Sequence, residues 1–292
     1  MEYTIENACL RATISEHGAE LISLVHKKDG VEHIWCGDPA YWKGHAPILF
    51  PHTGRLVDQK ITAKGQEFPG KPHGFARNLE HRLVSRTEDS LVMELVSGPE
   101  TRQFWPYEFR LVSTYRLEGQ TLLHTLTVEN TDEEDIRFGI GYHPGFTVPF
   151  DSAHTYEDYE LRFSQPESPI CLFTETTGLV ENKFYYLGKN VQALPLDEQL
   201  FAHDSHLMTG LQSQTLGLYE KDSDRAVIVN IKPFPYTLIW SHVGKPHMVC
   251  IEPWHSIPSP ADGGSDWDQK PAAAILAPGA QWSTTLEITF RR

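Results

Sequence analysis

The chain has 292 residues, of which 40% are apolar, 11% aromatic and 22% charged, enough to bury a sizeable core and far from the composition of a disordered or collagen-like chain. Its 39 Asp and Glu outnumber 25 Lys and Arg, giving a formal charge of -14. With no basic run to neutralise a row of phosphates, nucleic acid is excluded as a natural partner, and an acidic surface repels anionic membranes, so a neutral small molecule fits best.

Met1 to Glu6 carries neither a basic n-region nor an apolar h-region, and nowhere do 18 apolar residues run together, so the expected location is the cytoplasm. Cys9, Cys36, Cys171 and Cys250 are widely spaced in apolar settings, which predicts four buried thiols rather than a disulfide framework or zinc knuckle. The assembly is left open between monomer and homodimer.

In chain order, short β-branched and aromatic runs recur between Gly, Pro, Asp and Asn, the pattern of a many-stranded antiparallel protein. Leu10, Ala12 and Ile14 alternate with polar residues, and a strand is predicted over 91–96. Tyr107 to Leu117 and Thr121 to Val128 form a hairpin about Glu118-Gly119. Further strands are predicted at 136–140, 159–163, 215–219, 226–231, 236–240, 248–251 and 284–290, with two helical turns over Leu196 to His203 and an exposed loop over Ile257 to Gly264. The expectation is one mainly β domain spanning 1–292, with few short helices.

Three segments carry chemistry-bearing residues. The first runs Phe50-Pro51-His52-Thr53-Gly54-Arg55 and resumes, after a hairpin, as Pro72-His73-Gly74-Phe75-Ala76-Arg77. Its prolines place it at strand ends and loops, where Arg55 and His73 can donate to hydroxyl oxygens of a polyol, or simply pair at the surface and cap a turn. The second, Gly139-Ile140-Gly141-Tyr142-His143-Pro144-Gly145-Phe146, ends a strand at a histidine whose ordinary pKa of about 6.5 suits proton transfer, although a lone histidine is commonly structural. The third, Met248 to Trp254, ends an apolar strand at Glu252, where partial desolvation raises a carboxyl toward general-base range. Trp254 offers an apolar face for the C–H side of a sugar; the plainer reading is a Glu paired with an Arg beside a core Trp.

Rival motifs are missing: no Gly-x-Ser-x-Gly, no P-loop and no His-Glu-x-x-His. A dinucleotide loop at Gly139-x-Gly141 fails because Thr147-Val148-Pro149-Phe150 follows where a helix must begin. Among 15 histidines the densest cluster, His203-Asp204-Ser205-His206, lacks further ligands at close spacing, so no metal site is expected.

Taken together and in order, His-Gly-Phe-Ala-Arg at 73–77, Gly-Tyr-His-Pro-Gly-Phe at 141–146 and Ile-Glu-Pro-Trp at 251–254 resemble the aldose 1-epimerase family, the galactose mutarotase-like proteins, in its bacterial branch. The resemblance implies a large antiparallel β-sandwich whose open face binds one monosaccharide, with His143 as catalytic acid, Glu252 as catalytic base, and Arg55 and His73 contacting the sugar. It matches Asp204 to a substrate-binding aspartate and places Arg77 and Trp254 in the pocket lining. The implied reaction interconverts α and β anomers of a free hexose with no metal or redox cofactor. Two alternatives are a hexose-6-phosphate 1-epimerase, with Arg55, Arg77 and Lys71 toward the phosphate, and a non-catalytic sugar-binding protein on the same fold. A glycosidase would need a second carboxylate. His255-Ser256 after the third motif departs from the family pattern.

Overall fold

The computed structural model describes residues 1–174 and 176–291. Alternation of apolar and polar residues builds its centre. In Phe109–Glu118 and Thr121–Asn130 every second side chain is buried, and the strands pair from Phe109 with Asn130 to Glu118 with Thr121. A period of two puts one full row of each strand on the core, so both must face it in register. They lie within a nine-stranded antiparallel sheet ordered Val191–Pro195, Tyr159–Glu167, Thr215–Glu220, Ala226–Asn230, Gln281–Arg291, Thr121–Asn130, Phe109–Glu118, Ser90–Val96, Arg82–Arg86.

The second large sheet runs Phe184–Tyr186, Ile170–Leu172, His206–Thr209, Tyr236–Trp240, Met248–Trp254, Gly141–Tyr142, Ile48–Leu49, with Gly145–Thr147 also on Met248–Trp254. Ile239, Val249, Ile251 and Phe146 from this sheet join Leu111, Leu126 and Ile288 from the first in one core, all 0% exposed. Full burial of such a side chain stabilises by roughly 1.5–3 kcal/mol. Tyr142 crosses between the sheets, its hydroxyl donating toward the carbonyls of His124 at 2.8 Å and Thr284 at 2.9 Å. The architecture is a large antiparallel β-sandwich, with a four-stranded sheet from the first 32 residues beside it. Among the described residues no helix is long and apolar enough to cross a membrane.

Several expectations are corrected. Within 196–203 there is no helix: residues 198–203 form hydrogen-bonded turns. Asp197 Oδ1 accepts from the amides of Gln199 and Leu200, and Ala202 and Asp204 bond three residues back, so the local side chain competes with helical pairing. The long hairpin starts at Phe109 rather than Tyr107, and the strand predicted over 248–251 continues to Trp254, carrying Glu252 within it. Cys36 is exposed and Cys9 half-buried; only Cys171 and Cys250 are buried, and all four are free. In the Ile257 to Gly264 loop, Pro258 and Ser259 are buried and only 261–264 lie open.

Candidate active site

The second sheet uses its two faces differently. Along Met248–Trp254, Val249 and Ile251 point into the core, which sends Cys250, Glu252 and Trp254 to the opposite face. The neighbouring strand pairs Gly141 with Trp254 and Gly145 with Cys250, and the same register sets His143 opposite Glu252. Glu252 Oε1 lies 3.4 Å from His143 Nδ1. The histidine backbone is anchored by its amide donating to the Pro47 carbonyl at 3.1 Å.

The glycines of the second motif clear the space beside His143. A Cβ on Gly141 would lie 2.6 Å from Trp254 Cδ1, and one on Gly145 would lie 2.7 Å from Trp42 Cζ3. Trp42 stacks on His143, with ring centroids 4.8 Å apart and planes at 18°. Trp42 stands on a loop turned by Asp38, whose carbonyl accepts from the Tyr41 and Trp42 amides.

The first motif closes the site from the other side. The Phe50 carbonyl accepts from the amides of Phe75 and Ala76, so the 50–55 and 73–77 segments run together. Gly74 is required there, because a Cβ would fall 2.1 Å from that carbonyl oxygen. His73 and Gly54 bond reciprocally: the His73 amide donates to the Gly54 carbonyl at 2.9 Å, and the Gly54 amide donates to His73 Nδ1 at 3.2 Å. With Nδ1 accepting, the His73 proton belongs on Nε2.

These segments enclose a cavity of about 330 Å³ lined by Arg55, His73, Arg77, His143, Asp204, Glu252 and Trp254, all seven predicted site residues. Sites for single small ligands begin near this size, roughly 300 Å³. Asp204 reaches it from the turn after Phe201 and accepts a 2.6 Å hydrogen bond from the Trp240 indole. His203 is exposed outside it, and His206 is turned to Tyr185 and the Leu200 carbonyl.

The aldose 1-epimerase family model matches residues 1–289. The chain belongs to the aldose 1-epimerase family. The plasmid-encoded LacX protein of Lactococcus lactis is 31% identical over 301 residues, covering 99% of each chain. Of solved structures, a galactose mutarotase related enzyme from Lactobacillus acidophilus superposes with a TM-score of 0.94 at 29% identity, over 100% of this chain and 98% of that one. A galactose mutarotase-like protein from Lactobacillus casei gives 0.92 at 28% identity, over 99% of this chain and 100% of that one.

Burial dominates the electrostatics of this candidate site. It pushes the Glu252 carboxyl well above the usual carboxylate range, against the lowering pull of the Arg77 guanidinium and the Trp254 indole; nearby Asp204 pushes it further up. Burial, then the Arg77 charge, holds His143 well below its ordinary value, and burial with the charges of His143 and Arg77 does the same to His73. Burial also lowers Arg77, yet a guanidinium stays cationic. Neither carboxyl oxygen of Glu252 nor His143 Nδ1 has a hydrogen-bond partner, and the Trp254 N–H meets none in good geometry. Such buried polar atoms are costly unless something completes them.

Sequence reasoning missed Trp42 and Trp240, both part-exposed in the cavity, together with Thr174, Ser205, Leu207 and Leu238. Trp240 ends a predicted strand and was open to notice; Trp42 had no local signal. Trp254 is 1% exposed and serves as floor, leaving Trp42 and Trp240 as the open indoles. The unusual His255-Ser256 pair proves to be bracing: Ser256 Oγ lies 2.9 Å from Thr53 Oγ1, and His255 Nε2 lies 2.9 Å from Thr284 Oγ1.

Proposed function

We propose that this chain is an aldose 1-epimerase that opens and recloses the ring of a free hexose with His143 and Glu252 as one acid–base pair. The observation carrying this reading is their 3.4 Å contact, buried at the wall of a cavity for one monosaccharide. Burial pushes the carboxyl up and the imidazole down, so between those two limits the pair holds a single proton. Neutral acid with neutral imidazole, and carboxylate with imidazolium, are two arrangements of that one proton, so the two groups titrate together.

Ring opening takes the proton of the C1 hydroxyl onto Glu252 while His143 gives one to the ring oxygen. The C1–ring-oxygen bond breaks and the C1 carbonyl forms. Rotation about C1–C2 turns the other carbonyl face to the ring oxygen. Glu252 then returns its proton to the C1 oxygen, His143 takes back the ring-oxygen proton, and the opposite anomer closes. No net proton is consumed. Arg55 and the Nε2–H of His73 donate to sugar oxygens, where fixed donors stabilise partial negative charge. Asp204 accepts from a sugar hydroxyl while anchored by Trp240.

A neutral sugar is favoured over a hexose 6-phosphate because Lys71 lines a different, smaller cavity and Arg77 stands at the buried chemical end beside Glu252. Arg55 is the remaining cation in the lining, which also holds the acidic Asp204. Polarimetry on freshly dissolved α-glucose, α-galactose and their 6-phosphates tests the reading. Acceleration of the free sugars that disappears in Glu252→Gln supports it. Acceleration of the phosphates alone assigns the phosphosugar activity, and none at all leaves a sugar-binding protein.

A further inference from the structure

Cys250 has no part in the reaction above, yet it shares a face with the acid–base pair. It stands two residues before Glu252 on the same strand and opposite Gly145, buried among Trp35, Met248, Trp42 and Trp240. One ligand atom each from His143, Cys250 and Glu252 fall within 4.8 Å of one another, and all three residues are buried. Three atoms so spaced have a common point no more than about 2.8 Å from each (4.8/√3), against roughly 2.0–2.3 Å for bonds from zinc to nitrogen, oxygen and sulfur. The 3.4 Å between Glu252 Oε1 and His143 Nδ1 matches the edge of a tetrahedron with bonds of about 2.0–2.1 Å. Glu252 is 1% and His143 7% exposed, and the carboxyl oxygens and Nδ1 are unpartnered.

We propose that His143, Cys250 and Glu252 form a zinc-binding triad at the head of the sugar cavity, through which zinc or a similar thiophilic divalent ion reversibly inhibits the enzyme. The ion is an inhibitor, not a cofactor: it occupies the lone pairs that must carry the proton. Imidazole, carboxylate and thiolate with a fourth position open toward the cavity is a zinc donor set, whereas magnesium and calcium prefer oxygen alone. On binding, the Cys250 S–H and the Glu252 O–H give up their protons, and thiolate plus carboxylate balance the two positive charges. Among the described residues the other cluster of this kind, Asp151, His154 and Glu220, is filled by Arg225, whose Nη1 lies 2.6 Å from Asp151 and 2.9 Å from Glu220.

The inhibition, though not the binding, rests on the acid–base reading, so binding is measured first and without sugar. Purified tag-free protein is titrated with Co²⁺ and with Zn²⁺ by absorption spectroscopy and equilibrium dialysis. Wild type is expected to show a thiolate-to-cobalt charge-transfer band with four-coordinate d–d bands, erased by stoichiometric zinc. Cys250→Ala is expected to lose that band, bind zinc at least ten-fold more weakly, and keep metal-free mutarotation within about two-fold. Zinc is then expected to inhibit wild type, with recovery on chelation. A cobalt spectrum without the thiolate band, or a thiolate band and zinc affinity unchanged in Cys250→Ala, overturns the triad. If both sugars prove inert, the spectrum still decides it.

Discussion

His143 and Glu252 face each other across adjacent antiparallel strands, with Nδ1 and Oε1 3.4 Å apart on the sheet face turned away from the core. Cross-strand neighbours are held by the ladder, so backbone register, rather than two independent loops, sets their separation. Replacing Glu252 by Gln keeps shape and burial. Because the carboxyl is pushed toward its neutral form, the amide imposes little cost on folding. Glu252→Gln and His143→Asn are each expected to lower turnover by about 10²- to 10⁴-fold with circular dichroism unchanged. A loss below ten-fold in both would remove the pair from the chemistry.

The shared proton gives a pH prediction. Activity is lost when the pair surrenders its only proton, above the raised Glu252 value, or gains a second, below the depressed His143 value. Since these limits are pushed apart, kcat/KM should stay level through about 6.5, where an ordinary histidine would show an inflection. A clear inflection near 6.5, measured in buffers of constant ionic strength, would contradict the shared-proton account.

Much of this was legible in sequence because β structure writes itself in period two: Tyr236–Trp240 and both long hairpin strands stand close to where alternation puts them. The motifs were legible because sterics demand their residues, as with Gly74 against the Phe50 carbonyl and Gly141 against Trp254. Two things were not. Residues 196–203 have helical composition but are too short to override the side-chain bonds of Asp197. Trp42 enters the site through a stack formed only when a loop a hundred residues upstream of His143 folds over it.

That stack yields a further test. Gly145→Ala puts a methyl 2.7 Å from Trp42 Cζ3, so the indole must move off His143. Overpacking of this kind costs about 1–3 kcal/mol. Misplacing a group beside the chemistry by an ångström costs up to about 10²-fold in rate. The variant should therefore fold, show altered tryptophan emission, and turn over roughly 10- to 100-fold more slowly at unchanged pH optimum. Trp42→Phe should retain more activity than Gly145→Ala, because a smaller ring can still cover the imidazole.

Acid sensitivity follows from histidines the reaction does not use. Burial holds His33, His52 and His124 down to about 3, and His81 and His255 down to about 4. Between those values and about 6.5 the unfolded chain binds protons that the folded chain refuses, so stability falls as pH falls through this window. From pH 8 to pH 5 each such histidine withdraws about 2 kcal/mol. Glu252 acts the other way, since its raised value favours the folded state on the acid side, as do His45 and His154, held up by Glu20 and Asp151, but these three stand against five imidazoles held down by burial. Melting temperature should therefore drop steadily below pH 6.5. His52 is the place to test it: it is fully buried, its Nδ1 has no partner, and His52→Phe loses no hydrogen bond through that atom. The variant's melting temperature should fall less between pH 8 and pH 5, by roughly 2–4 °C for each kcal/mol removed. An unchanged slope would mean that His52 protonates in the folded protein as readily as in the unfolded one.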